Sequence, residues 1–151
     1  ETWFREYGEE RHARKLAREV VRARSFGPIL RTTQLADLVS RIVPRGRASI
    51  HPATRTFQAL RIAVNHELDE IAALLDIAPR LMAPGARFAA ISFHSLEDRL
   101  VKHAFRRLLR DGDHSLPNSK GVCANTSEQR ENPRSRSARM RCLVRNGGTV
   151  Q

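Results

Sequence analysis

Arg87-Phe88-Ala89-Ala90-Ile91-Ser92-Phe93-His94-Ser95-Leu96-Glu97-Asp98-Arg99 (residues 87–99) is the stretch whose reading decides the fold. Ala83-Pro84-Gly85 punctuates the chain just before it. The apolar run from Arg87 to Phe93 is too short and too continuous for a helix, so it reads as a strand, and apolar residues on both faces suggest cover on both sides, as in parallel sheets. A new periodicity begins at once through Leu100, Val101, Ala104, Phe105, Leu108 and Leu109, which predicts a helix. Strand, polar turn and helix in that order make one piece of an α/β sheet.

Ahead of this unit the spacing is helical. Ala13, Leu16, Ala17, Val20 and Val21 place one apolar stripe on a helix over about Glu9 to Arg24, with Arg11, Arg14, Lys15, Arg18 and Arg22 on its outer faces. Phe26-Gly27-Pro28 breaks it. Thr32-Thr33 offers an N-cap for a second helix through Leu35, Leu38, Val39 and Ile42, stopped by Pro44, and Arg45-Gly46-Arg47 follows as a basic loop. Pro52 suits the first turn of a third, longer helix with Phe57, Leu60, Val64, Leu68, Ile71 and Leu75 at helical intervals, after which Asp76 caps a short one. Residues 111–132 read as a long polar loop, and Met140 to Val144 as a closing strand.

The 151 residues suffice for an ordinary domain with a core, and 40% are apolar. The net charge of +11 comes almost wholly from arginine, since only Lys15, Lys102 and Lys120 are lysines. Such a field favours a polyanion, nucleic acid above an acidic protein or a membrane surface. Cys123 and Cys142 are far apart and form neither a zinc knuckle nor a redox pair; reduced thiols in a cytosol fit them best. No apolar stretch approaches a membrane span, and no signal-peptide pattern opens the chain. Glu1-Thr2-Trp3-Phe4 reads like the middle of a longer protein.

Three groups of residues carry chemistry. In open α/β sheets ligands bind beyond the carboxyl ends of strands, where Ser92 to Asp98 falls. Ser95-x-x-Asp98 resembles a capping box, and Glu97 with Arg99 could form a local ion pair. His94 and Glu97 stand out as functional because a cap built on Ser95 and Asp98 does not need them. On the third helix Arg55, Gln58 and Asn65 share a face opposite Phe57, Leu60 and Val64, which is either a solvated face or a set of donors and acceptors for a substrate. Asn132-Pro133-Arg134-Ser135-Arg136-Ser137-Ala138-Arg139, extended by Arg141 and Arg145, is either a disordered basic tail or a grip for phosphates, and the strand-like residues after it favour the grip. His66-Glu67-Leu68-Asp69-Glu70 lacks the second histidine of a zinc-protease helix, so no metal site is expected. There is no G-x-x-x-x-G-K-[ST], G-x-G-x-x-G or G-x-S-x-G motif.

Taken in order, YGEERHARKLAREVVRAR, HPATRTFQALRIAVNHEL, PGARFAAISFHSLEDRLVK and ENPRSRSARMR resemble the C-terminal half of the bacterial RsmH (MraW) family. The resemblance covers nearly the whole chain except the basic loop and residues 111–129, where Gly121-Val122-Cys123-Ala124 departs from it. It implies an α/β protein: a partial Rossmann-like S-adenosylmethionine-dependent methyltransferase sheet with an α-helical insertion domain. Residues 1–50 would end the helical substrate-recognition insertion, and 51–151 would form the C-terminal part of the methyltransferase domain. The implied reaction is methylation of the exocyclic amine of a cytidine in the decoding region of 16S rRNA, with the small ribosomal subunit as partner, in the cytoplasm. The family's cofactor-binding motifs are expected upstream, so this stretch alone should hold no principal S-adenosylmethionine site and be inactive. On this basis His94, Ser95 and Glu97 are expected to border the target base, Arg55, Gln58 and Asn65 to support the pocket, and Arg134, Arg136 and Arg139 to hold RNA phosphates. A non-catalytic basic RNA-binding or ribosome-assembly module is the competing reading, and a DNA amino-methyltransferase a weaker third, lacking a [DNS]-P-P-[YFW] signature here.

Overall fold

A computed structural model describes residues 1–44 and 51–147. The expected basic loop Arg45-Gly46-Arg47 lies outside them. The chain divides into two compact units, Glu1–Glu67 and Leu68–Gln151.

The first unit is helical: α1 (Thr2–Glu6), α2 (Ala13–Phe26), α3 (Thr32–Ile42) and α4 (Ala53–Asn65). Its core gathers Phe4, Ala13, Leu16, Val39, Ile42, Ala53 and Ala59. Thr2–Glu6, which bears no long periodicity, is a short helix that buries Phe4. The second helix of the unit starts at Ala13 rather than near Glu9, because the buried Glu10 carboxylate accepts the His12 backbone N–H at 2.7 Å and ends the turn ahead of it. Val21, placed by spacing on the inner stripe, is exposed instead. Thr32 and Thr33 do not cap α3 but lie inside it; the Gln34 amide oxygen reaches back to the N–H groups of Leu30 and Arg31, both at 2.9 Å.

The long third helix is two helices. His66 takes the left-handed conformation (φ 54) that ends α4, and α5 (Glu67–Leu81) begins at once. The face of α4 that is buried is Ala53, Thr56, Ala59 and Ile62, not Phe57, Leu60 and Val64; Val64 is exposed and the other two are half-buried. Ala59 stands on this face where the backbone at Gly8 comes very close. A methyl group on Gly8 would lie 2.7 Å from the Phe4 carbonyl oxygen and 3.0 Å from that of Arg55. Asp76 caps nothing: it sits inside α5, paired with Arg80 at 2.9 Å.

The second unit continues with β1 (Arg87–Ser92), α6 (Ser95–Leu108), β2 (His114–Ser115), β3 (Val122–Cys123), α7 (Thr126–Glu131) and β4 (Arg139–Arg145). Residues 111–132 therefore are not a plain loop; they hold two bridge-length strands and a short helix. The expected closing strand is present as β4, and it is the centre of the sheet. It pairs antiparallel with β1, from Arg87 opposite Val144 to Ser92 opposite Arg139, and also with β2 and β3.

The parallel, doubly covered strand predicted for residues 87–93 is corrected accordingly: among the described residues all pairing is antiparallel and β1 alternates in burial. Phe88 and Ala90 face a core of Leu75, Met82, Val101, Phe105 and Leu143, with the Phe88 and Phe105 rings edge to face at 5.5 Å. Ala89 and Ile91 face the other way and are exposed. Uniform apolarity could not reveal that one face lacks cover.

Candidate active site

The turn after β1 is built by His94 and Glu97. His94 is the N-cap of α6, and its Nδ1 accepts the Glu97 backbone N–H at 3.4 Å. Glu97, at the third helical position, turns its Oε2 back onto the N–H groups of Phe93 at 2.7 Å and His94 at 3.2 Å. This is a reciprocal capping box with histidine in the usual hydroxyl role, so the box expected from Ser95 and Asp98 is displaced by one residue. The premise that His94 and Glu97 are unneeded for the cap is thereby corrected. Ser95 is an exposed first-turn residue.

The cap fixes the imidazole's chemistry. With Nδ1 accepting, neutral His94 carries its proton on Nε2. Nε2 lies 3.1 Å from Glu97 Oε1, yet it is buried and lacks an aligned hydrogen-bond acceptor. A buried donor without an acceptor costs roughly 1–3 kcal/mol, so its retention calls for an explanation. The side chains of His94 and Glu97 keep 12% and 18% of their surface exposed.

Asp98 does something the sequence reading missed. Its carboxylate takes a bidentate fork from Arg141, at 2.7 Å from Nε and 3.0 Å from Nη2, joining α6 to β4. The hydrogen bonding from Arg141 holds the Asp98 carboxyl below the usual carboxylate range, against a smaller opposing effect of burial, and Arg139 and Lys102 add to the lowering. Arg141 also donates to the Ser119 carbonyl at 3.1 Å. It is a buried structural cation and not one of the phosphate contacts into which the arginine run placed it. Arg145 likewise donates to the Met82 carbonyl. The signal for the fork was present in two acids in a row, Glu97-Asp98, of which a cap can use only one.

The remaining candidates fall into two groups. Pro133–Ser137 is a 3₁₀ turn that leaves Arg134 and Arg136 exposed, whereas Arg139 is half-buried, donating to the Lys120 carbonyl at 3.0 Å with Nε 4.0 Å from Asp98. In the helical unit, Arg55 donates to the Glu9 carbonyl and Gln58 to the Tyr7 carbonyl, each at 3.4 Å, so both tie α4 to the segment after α1. Asn65 sits at the far end of α4 and donates to Glu67 at 3.2 Å, beside the two-pronged Arg61–Glu67 pair. A separate cleft in the second unit is lined by Pro79, Arg107, Asp111, His114 and Arg145. It lies toward the amino end of β1, opposite the His94–Glu97 turn.

Comparison with known proteins places the chain. Residues 1–146 match the MraW methylase family, to which this chain therefore belongs. Among curated proteins it is similar to the ribosomal RNA small subunit methyltransferase H of Gluconobacter oxydans (49% identity, 93% of this chain and 48% of the relative). Proteins of the same name from Acidithiobacillus ferrooxidans (47%; 94% and 48%) and Deinococcus radiodurans (53%; 90% and 43%) are comparably similar. The chain spans about half the length of these relatives.

Proposed function

We propose that this chain supplies the substrate-side half of an S-adenosylmethionine-dependent methyltransferase acting on the exocyclic amine of a cytidine in the decoding region of 16S rRNA. Membership of the MraW methylase family and the names of its relatives support a ribosomal RNA substrate. In this reading residues 1–50 end a helical substrate-recognition insertion, 51–151 return to a Rossmann-like sheet, and the protein works in the cytoplasm. The apolar but uncovered face of β1, with Ala89 and Ile91, supports a sheet that other elements complete. No helix among the described residues is long and apolar enough to cross a membrane.

The observation that carries the reading is the His94–Glu97 pair beyond the carboxyl end of β1. An Nε2–H donor beside a carboxylate oxygen complements a ring nitrogen acceptor beside an amine donor, which is the Watson–Crick edge of cytosine. Adenine offers the same pair, so recognition of the smaller ring must come from the shape of the surroundings. Cytosine's amine is a poor nucleophile, its lone pair being delocalised into the ring. An acceptor at Glu97 Oε1 would orient the amine and accept the proton that the nitrogen must lose as its new bond to carbon forms. Nε2 is buried as it stands, so a base engages it only once the imidazole turns outward.

The methyl donor supplies an electrophilic methyl group when bound, and in this reading its principal site lies outside this stretch. The β1–α6 turn has no glycine, and Glu97 and His94 engage the N–H groups of Phe93, His94 and Glu97. Arg134 and Arg136 hold RNA phosphates in this reading, with Arg139 behind them, and Arg55, Gln58 and Asn65 are proposed to support substrate binding.

Glu97→Gln in the full-length enzyme tests it. Glutamine serves a capping box as well as glutamate, so fold and helix are retained while the charge is lost. Methyl incorporation into small-subunit particles should drop at least about tenfold, the low end of general acid–base contributions being larger still; undiminished turnover rejects the role. The second reading, a non-catalytic RNA-binding module, is favoured by the exposed Arg134 and Arg136, and predicts that the full-length protein gives no heat on titration with S-adenosylmethionine.

A further inference from the structure

The outer face of α2 carries a row that neither the cap nor the arginine turn uses. Arg14, Arg18, Arg22 and Phe26 follow one another at four-residue intervals, all exposed. On an α-helix this spacing is one continuous ridge with about 6 Å of rise between members. The opposite side of α2, with Ala13, Leu16, Ala17 and Val20, is spent on the core. Among the described residues Arg14 and Arg18 have no acidic partner, and Arg22 only approaches Glu19 at 3.9 Å with 72% of its own side chain open to solvent. Phe26, the last residue of the helix, is 85% exposed, and Leu30 in the turn beyond it is 81% exposed.

We propose that this ridge binds single-stranded RNA, with Arg14, Arg18 and Arg22 on successive phosphates and Phe26 stacking on a base at the end of the row. The inference rests on the reading of the chain as an RNA enzyme and adds a contact surface in the helical unit. Three arginines stepped by about 6 Å match a charged backbone that repeats, and a terminal aromatic matches what such a backbone carries. Positive grooves with aromatic platforms are how proteins hold single strands without reading sequence. A lipid surface fits less well. A membrane-lying helix needs a broad apolar face toward the bilayer, and the exposed face of α2 offers only Val21 and Phe26.

The test uses the full-length protein and a short fluorescein-labelled single-stranded RNA of mixed sequence, with anisotropy titrations over a range of salt. The triple variant Arg14→Ala/Arg18→Ala/Arg22→Ala should lower the slope of log affinity against log salt by about 2, at roughly 0.7 per phosphate contact. Phe26→Ala should weaken binding about tenfold at fixed salt without changing the slope, Phe26→Trp should restore it and Phe26→Leu should not. Alanine is a good helix former, and unchanged circular dichroism verifies the fold. An unchanged slope in the triple variant, or full affinity in Phe26→Leu, overturns the proposal. So does a loss confined to binding of anionic phospholipid vesicles. If the ridge variants bind normally while Arg134→Ala/Arg136→Ala lowers the slope, the ridge alone is wrong; if the unaltered protein binds no RNA, the parent reading fails with it.

Discussion

Asp98 and Arg141 show how far one residue's environment decides the cost of losing it. Arg141 keeps 7% of its side chain exposed and Asp98 22%. Removing the carboxylate leaves an arginine that cannot shed its charge in a buried place, whereas removing the arginine leaves an acid that can reach water or take up a proton. Asp98→Ala should therefore destabilise by about 3 kcal/mol, and Arg141→Met by clearly less. Urea unfolding read at the β1–β4 amides checks the order, and equal losses would contradict it. The pair also sets an acid limb. Because the folded state lowers the Asp98 pKa from its ordinary 3.8, its stabilisation is complete above that value and is lost as the pH falls through the lower folded value. In Asp98→Asn the stability curve should be flatter below about pH 4 than in the unaltered protein, the region where unperturbed aspartate titrates.

Several elements here are bounded by side-chain acceptors rather than by glycine or proline, as at Gln34, His94, Glu97 and Asn125, and this explains which boundaries the sequence conveyed. The strand at 87–92 and the helices through Leu16, Val39 and Val101 were legible from apolar spacing alone. The start of α2 was not, because it depends on a buried Glu10, and neither was the break at His66, because a left-handed turn is uncommon outside glycine and histidine's modest preference for it does not interrupt a periodic run. Two tests belong to this scale. His94→Ala removes the acceptor for the Glu97 N–H and should cost the α6 terminus about 1 kcal/mol, the usual value of an N-cap, seen as faster amide exchange in the first turn. Gly8→Ala pushes a methyl against two backbone oxygens that cannot move aside. It should cost about 1–3 kcal/mol, as overpacking does, and lower exchange protection at Ala59 and Ile62 of α4. Unchanged protection there would mean that the α1–α4 approach is looser than described.

For the molecule as a whole, charge was legible and its assignment was not. A net charge of +11 announced a polyanion, and the run from Arg134 to Arg145 looked like one uniform grip. Folding sorts that run by element: the alternation of β4 puts Arg139, Arg141 and Arg145 on one face with Leu143, while Arg134 and Arg136 precede the strand. Arg141 turns inward to Asp98, Arg145 donates to Met82, Arg139 leans on the Lys120 carbonyl, and only Arg134 and Arg136, on the turn ahead of the strand, stay open. The same alternation, invisible in a run of apolar residues, left Ala89 and Ile91 on an uncovered face. If exposure decides which arginines meet phosphate, the salt dependence of RNA binding must divide in the same way. Arg134→Ala/Arg136→Ala should lower the log–log slope by about 1.4, two contacts at roughly 0.7 each, and adding Arg139→Ala should lower it by less than half a unit more. A full further step on losing Arg139 would show that RNA draws that side chain away from Lys120, and that the resting arrangement of β4 is not the one that meets the substrate.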